Sequence, residues 1–69
     1  MTFPERVYKL RKERNLTQEE VATEAGLVLR SYRRYEAGER EPTMSTLIQL
    51  ANFYQVTIDY LVGRSDQRN

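Results

Sequence analysis

The sequence predicts a compact all-α domain of five short helices. Apolar residues recur three, four and seven positions apart, which places them on one face of a helix, and no segment alternates as a strand does. Threonine or proline precedes most of these segments and glycine follows several of them, as is typical of helix ends. The turns between the segments are short, which a compact helical domain requires.

The first helix is predicted over residues 4–14, because Pro4 suits a first helical turn. Its apolar stripe consists of Phe3, Val7 and Leu10. The second helix is predicted to start at Thr17, which with Glu20 matches a capping box that satisfies two backbone amides. Gly26 fits the left-handed position that ends this helix, and its apolar face carries Val21, Ala22 and Ala25.

The third helix is predicted over residues 29–37, and Gly38 ends it. Two of its tyrosines share one face and its three arginines lie on another: Tyr32 with Tyr35, and Arg30, Arg33 with Arg34. The second and third helices are joined by the turn at Gly26. Two short helices joined in this way form a helix-turn-helix unit, whose second helix enters the major groove of DNA. The second and third helices therefore indicate a DNA-binding function.

The fourth helix is predicted over residues 44–54 with Thr43 as its cap, since Leu47, Leu50, Ala51 and Tyr54 form one buried stripe. The fifth is predicted over residues 58–62, between Thr57 and Gly63, with Ile58 and Leu61 facing inward. We expect a single domain over residues 1–69, with its core at about 4–63 and a flexible polar tail at 64–69.

The composition excludes several classes of function. The 69 residues contain no cysteine, which rules out disulfides and thiolate metal sites, and no histidine, the usual general base. No apolar run is long enough to span a membrane and no signal peptide is evident. We therefore expect a cytoplasmic protein that is not an enzyme and has no membrane contact, cofactor, metal or small-molecule ligand.

The charges are strongly segregated although the net charge is only +1. Residues 1–15 and 28–35 each carry a net charge of +3, while residues 16–27 carry −3 and residues 36–42 carry −2. Such asymmetry can steer an anionic partner. A solvated surface of mixed charge would show the same pattern, so charge alone does not decide between the two.

Taken together, these residues resemble the phage-repressor and Cro-like helix-turn-helix family, also called the xenobiotic-response-element family. The resemblance covers roughly residues 5–64. It is carried by Arg11, Leu16-Thr17-Gln18-Glu19-Glu20-Val21-Ala22, Ala25-Gly26-Leu27, Tyr35-Glu36-Ala37-Gly38, Arg40, Pro42, Leu47, Leu50-Ala51, Val56 and Asp59-Tyr60-Leu61-Val62-Gly63. It implies a lambda-repressor-like domain that binds a palindromic operator in double-stranded DNA as a homodimer, in a bacterial or phage-encoded transcription regulator that is most often a repressor.

We expect Arg30 to read bases, because it lies early in the third helix and arginine pairs with guanine O6 and N7. Arg34, one turn later, matches another contact position of the family, and Leu29 could contact a thymine methyl group. Supporting or phosphate contacts are expected from Gln18, Val28, Ser31, Arg33, Arg40 and Thr43. Val28 departs from the family, which places serine or threonine there, because valine neither caps a helix nor donates to a phosphate.

The resemblance also implies a structural ion pair between Arg11 and Glu36, which would fix the third helix against the first. Two exposed charges would be the alternative. Family dimers often meet near the last two helices, where we expect Phe53, Tyr60 and Val62 to be exposed and to form the dimer interface.

Other functions remain open at this point. A protein–protein adaptor would use Val28 and Leu29 as partner contacts, and a non-specific nucleoid protein would bind every duplex equally. For an enzyme, the sequence offers no plausible constellation of catalytic side chains, since the acids of the second helix face solvent. Tyrosines among basic residues can stack on single-stranded bases, but Tyr32, Tyr35 and Tyr54 have the spacing of core residues.

Overall fold

The computed structural model describes all 69 residues and contains five α-helices and no strand. They are α1 (Phe3–Glu13), α2 (Gln18–Ala25), α3 (Leu29–Ala37), α4 (Met44–Tyr54) and α5 (Ile58–Leu61). The predicted fold class is confirmed. The predicted limits of α3 and α4 match, whereas α1 lies one residue earlier than predicted and α5 ends one residue sooner.

Local side-chain caps explain where four of the helices begin. The predicted Thr17–Glu20 capping box is present at α2, and Thr43 and Thr57 accept hydrogen bonds from the backbone amides at the starts of α4 and α5. At α1 the cap is Thr2, which forms a second capping box with Glu5. This box was not predicted from the sequence, although the spacing of threonine and glutamate is the same as at α2.

The helices enclose one core of 13 buried apolar residues, to which all five contribute. Helix α3 lies between α1 and α2, while α5 packs on α1 and α4. The tyrosines that were assigned to the core, Tyr32, Tyr35 and Tyr54, are buried. None of the five helices combines the length and the apolar character that a membrane span requires.

Tyr60 is buried, with only 2% of its surface exposed, so the prediction that it is an exposed apolar group is wrong. The reason is a long-range contact with α1: the guanidinium of Arg6 lies 4.0 Å from the centre of the Tyr60 ring. Arg6 is itself only 4% exposed. A cation stacked on an aromatic face is stabilised by the ring quadrupole, so this pair joins the two ends of the chain.

The last six residues, which were expected to form a flexible tail, fold back along α1 and α5. Arg6 donates to Asp66 over 2.9 Å and to the backbone carbonyl of Ser65 over 3.3 Å. Arg68 pairs with Glu13 over 2.8 Å, and its carbonyl accepts a hydrogen bond from the Thr57 amide. These bonds give the polar tail defined partners within the domain.

Candidate nucleic-acid interface

Helices α2 and α3 form the helix-turn-helix unit, and the turn between them is set by Gly26. This residue has φ 75°, in the left-handed region where glycine is favoured. The amide of Leu27 then donates to the carbonyl of Ala22 over 2.7 Å, which closes the end of α2. The chain can therefore turn sharply from α2 into α3, which carries the candidate DNA-binding residues.

The inner face of α3 is anchored by aromatic packing. Tyr32 and Tyr35 are buried, and Tyr35 meets Phe3 of α1 edge to face with ring centres 6.2 Å apart. The Tyr35 hydroxyl lies 3.3 Å from the hydroxyl of Thr46 on α4, within hydrogen-bonding distance. These contacts hold α3 against both α1 and α4.

Arg11 and Glu36 lie together as a two-point ion pair between α1 and α3. Arg11 Nε donates to Glu36 Oε2 over 2.6 Å, and Nη2 donates to Oε1 over 3.0 Å. The two side chains are only 11% and 5% exposed. Arg11 also donates to the carbonyl of Leu16 over 2.9 Å, so the same guanidinium fixes the segment that leads into α2.

The pair keeps its charges at neutral pH. Burial acts to raise the pKa of Glu36, but the hydrogen bonds to its carboxylate, led by those from Arg11, outweigh burial and lower the pKa. The same hydrogen bonds raise the pKa of Arg11. Both groups are thus held in the charged state in which they bind each other.

Gln18, expected at a phosphate, has a partner inside the protein. Its Nε2 donates to Glu36 Oε1 over 3.1 Å, which occupies one of the two amide hydrogens and leaves the other free. The first residue of α2 is therefore coupled to α1 and α3 through a single carboxylate. From the sequence Glu36 is expected to pair with Arg11 alone, so the bond from Gln18 was not predicted.

The outer face of α3 differs completely from the inner face. Arg30, Arg33 and Arg34 are all exposed, and none of them takes part in an ion pair or a side-chain hydrogen bond of the protein. The two tyrosines of the inner face are buried and Glu36 binds Arg11, whereas these three guanidinium groups have no acceptor within the protein. They are available to an anionic ligand.

The remaining expected contact residues differ in how accessible they are. Arg40 and Thr43 are exposed on either side of Pro42, but the Thr43 hydroxyl already binds the amide and the hydroxyl of Thr46. Ser31 is half-buried. Of the proposed dimer residues, Phe53 and Val62 are half-buried and pack at the edge of the core.

Two residues at the start of α3 are placed differently from each other. Leu29 is half-buried and packs against the core, while Val28, the N-cap residue, is 69% exposed and its side chain makes no capping hydrogen bond. Arg14 was not singled out from the sequence. It donates to the carbonyls of Phe53 and Tyr54 over 3.2 and 2.9 Å and so closes the end of α4.

Helix α3, the second helix of the unit, has a buried inner face that other helices hold and a cationic outer face. This is the arrangement of a helix-turn-helix domain. The model of the helix-turn-helix family matches residues 7–61, and the chain belongs to this family, in its xenobiotic-response-element type. The family and the fold are those of DNA-binding transcriptional regulators rather than of enzymes.

Several curated bacterial and phage proteins are similar in sequence. The chain is 44% identical over 64 residues to the cryptic phage CTXphi transcriptional repressor RstR of Vibrio cholerae, covering 93% of the chain and 57% of that protein. It is 40% identical over 67 residues to the uncharacterized regulator YqaE of Bacillus subtilis, covering 96% of the chain and 58% of YqaE. The chain thus spans little more than half the length of these relatives.

Solved structures show the same fold. A crystal structure of a transcriptional regulator from Listeria innocua matches with a TM-score of 0.82 and 34% identity, covering 90% of the chain and 58% of that protein. The P22 c2 repressor, crystallised in complex with a synthetic operator, matches with a TM-score of 0.86 and 25% identity. That match covers 94% of the chain and 98% of the repressor chain.

Proposed function

We propose that this chain binds a palindromic operator in double-stranded DNA as a homodimer, through the major groove, and represses transcription there. One observation carries the proposal: α3 is held by buried contacts on one face and presents three unpaired arginines on the other. A rigid helix with free guanidinium groups can dock in a major groove with a fixed orientation. A fixed orientation brings the same side chains to the base edges, where sequence is read, whereas contacts with phosphates alone carry no sequence information.

Each arginine has a role that follows from its place on α3. Arg30 lies in the first turn, the part that reaches base edges, and would donate two hydrogen bonds to guanine. Arg34 lies one turn later and would read a second base or hold a phosphate. Arg33 would bind a phosphate, together with Ser31, Arg40, Thr43 and the free amide hydrogen of Gln18.

The names of the similar proteins support this proposal. RstR is a phage transcriptional repressor, and the P22 c2 repressor was crystallised with a synthetic operator. Because the relatives are bacterial or phage proteins, we place the activity at the DNA of a bacterial cytoplasm. A two-fold dimer predicts half-sites about one helical turn apart, roughly 10 base pairs, with Phe53 and Val62 near the contact between subunits.

Selection of bound duplexes from a random DNA pool tests the proposal, followed by titration of the winning duplex at several salt concentrations. We expect a palindromic sequence with a preference of roughly 10³-fold or more over scrambled DNA. We also expect affinity to fall steeply with salt, because bound arginines release counterions from the phosphates. Binding of all duplexes alike would contradict sequence reading, and absence of enrichment would favour a protein adaptor.

Footprinting of the winning duplex tests the dimer separately. Two protected half-sites in inverted orientation are expected. A single unpaired half-site would contradict the homodimer while leaving sequence-specific binding intact.

A further inference from the structure

Val28 is the most exposed large apolar side chain of the domain. Its exposed fraction is 69%, against 63% for Met44 and 45% for Ile48. It stands directly before the first residue of α3, beside the part of that helix that would approach base edges. An aliphatic group at this place gains nothing from water and has little of the protein to pack against.

The choice of valine also costs the helix a cap. The other four helices all begin at a threonine whose hydroxyl accepts a backbone amide hydrogen bond: Thr2, Thr17, Thr43 and Thr57. At α3 no side chain makes this bond. Serine or threonine at position 28 would stabilise α3 and would not expose a fully aliphatic side chain, so packing within the domain does not account for valine.

The surroundings of Val28 indicate what it could contact. The three free arginines of α3 and the uncapped amides at its start make this end of the helix positive, which complements the phosphates lining a groove. Within the major groove, the apolar group that a base pair presents is the C5 methyl of thymine. An aliphatic side chain that enters the groove can therefore pack against this methyl group.

Leu29 is less suited to contact a thymine methyl group. It is half-buried and packs against the edge of the core, so much of its apolar surface is already covered. Resting on the DNA binding proposed above, we infer that Val28, rather than Leu29, reads a thymine methyl group close to the guanine bound by Arg30. Val28 is then a specificity-determining residue: its side chain cannot cap α3, but it makes an apolar contact with a base.

Replacement of single thymines by deoxyuridine in the selected duplex removes one methyl group at a time and tests this inference. We expect at least one replacement in each half-site to weaken binding of the wild-type protein by about fourfold, the equivalent of roughly one buried methylene. In Val28→Ala the unmodified duplex should bind more weakly by a similar factor, and the penalty for deoxyuridine at that position should vanish.

Two further variants complete the experiment. Ile48→Ala truncates another exposed aliphatic side chain and should keep the full deoxyuridine penalty. Val28→Ser restores a capping hydroxyl to α3, so it should be at least as stable as the wild type while still lacking the penalty. This variant separates lost recognition from lost folding.

The outcomes distinguish this inference from the function on which it rests. A penalty that persists in Val28→Ala would assign the methyl contact to another residue, Leu29 first, and would overturn the inference. A selected operator at which no deoxyuridine weakens wild-type binding would overturn it too, with the proposed function intact. A pool that yields no preferred duplex would overturn both.

Discussion

The two faces of α3 are built on opposite principles. On the inner face, Tyr32 and Tyr35 are buried, and the Glu36 carboxylate binds both Arg11 and Gln18. On the outer face, Arg30 and its two neighbouring arginines have no partner within the protein. The inner face sets how the helix is held, and the outer face sets what it can bind.

Because they are built differently, the two faces should respond differently to substitution. A change on the inner face disturbs the position of the whole helix, so stability and DNA binding are lost together. A change on the outer face removes one contact with DNA and leaves the fold unchanged, since exposed substitutions usually alter stability by no more than about 0.5 kcal/mol.

The largest effect is expected from Glu36→Gln. Removal of the charge leaves Arg11 buried without its counterion, and breaking such a pair costs about 3 kcal/mol. A domain of this size has roughly 3–5 kcal/mol from its core, so most of its stability would be lost. Thermal unfolding should show a melting temperature lower by roughly 12–24 °C, and operator affinity should fall as well.

Glu39→Gln is the matched control for this change, because Glu39 is exposed in the loop after α3 and forms no ion pair. It should melt within a few degrees of the wild type. If Glu36→Gln had the same melting temperature as Glu39→Gln and bound DNA normally, the ion pair between Arg11 and Glu36 would not be what fixes α3.

A smaller effect, confined to DNA binding, is expected from Arg30→Ala. Loss of a two-point contact with guanine should weaken operator binding by about 1–3 kcal/mol, and substitutions of that guanine should no longer matter. The melting temperature should stay unchanged. Titration of wild type and variant against operators changed at single positions measures both quantities.

Arg33→Ala is the comparison for Arg30→Ala, since both arginines are exposed and unpaired on the same helix. Loss of a phosphate contact should weaken binding to all duplexes equally and reduce the salt slope by about one. Equal loss of sequence preference in both variants would be inconsistent with the roles assigned to them.

The smallest effect is expected in acid. The pKa of Glu36 is lowered in the folded protein despite its burial, so the unfolded chain binds the proton more readily. The pair therefore contributes stability above the unfolded carboxyl pKa of roughly 4.3, and this contribution is lost as pH falls through the lower folded pKa. Glu36→Gln has no such proton to bind and should lose less stability on acidification.

Urea unfolding of both proteins from neutral pH to about pH 2 measures this difference, with a fixed concentration of sucrose to stabilise the variant. Some acid dependence should remain in the variant, because hydrogen bonds from Thr2 and from Arg68 lower the pKa values of Glu5 and Glu13. Identical slopes for the two proteins would mean that Glu36 titrates alike in the folded and unfolded chains.

The helices, their order and most of their ends could be predicted from the amino-acid sequence. A capping box such as Thr17 with Glu20 acts within four residues, and a glycine such as Gly26 acts at its own backbone, so both can be recognised without the fold. Three of the four core tyrosines, Tyr32, Tyr35 and Tyr54, followed from helical spacing, and the cationic face of α3 followed from the positions of its arginines.

Contacts between side chains that lie far apart in the sequence could not be predicted in this way. The burial of Tyr60 depends on Arg6, 54 positions away, and the tail is held by partners on α1 and α5. Likewise, Leu29 and Val28 are adjacent aliphatic residues in the sequence, yet one packs on the core and the other is exposed. Local rules fix a helix, but the surroundings of a side chain depend on how the helices pack, and that packing decides which residues are free to bind a partner.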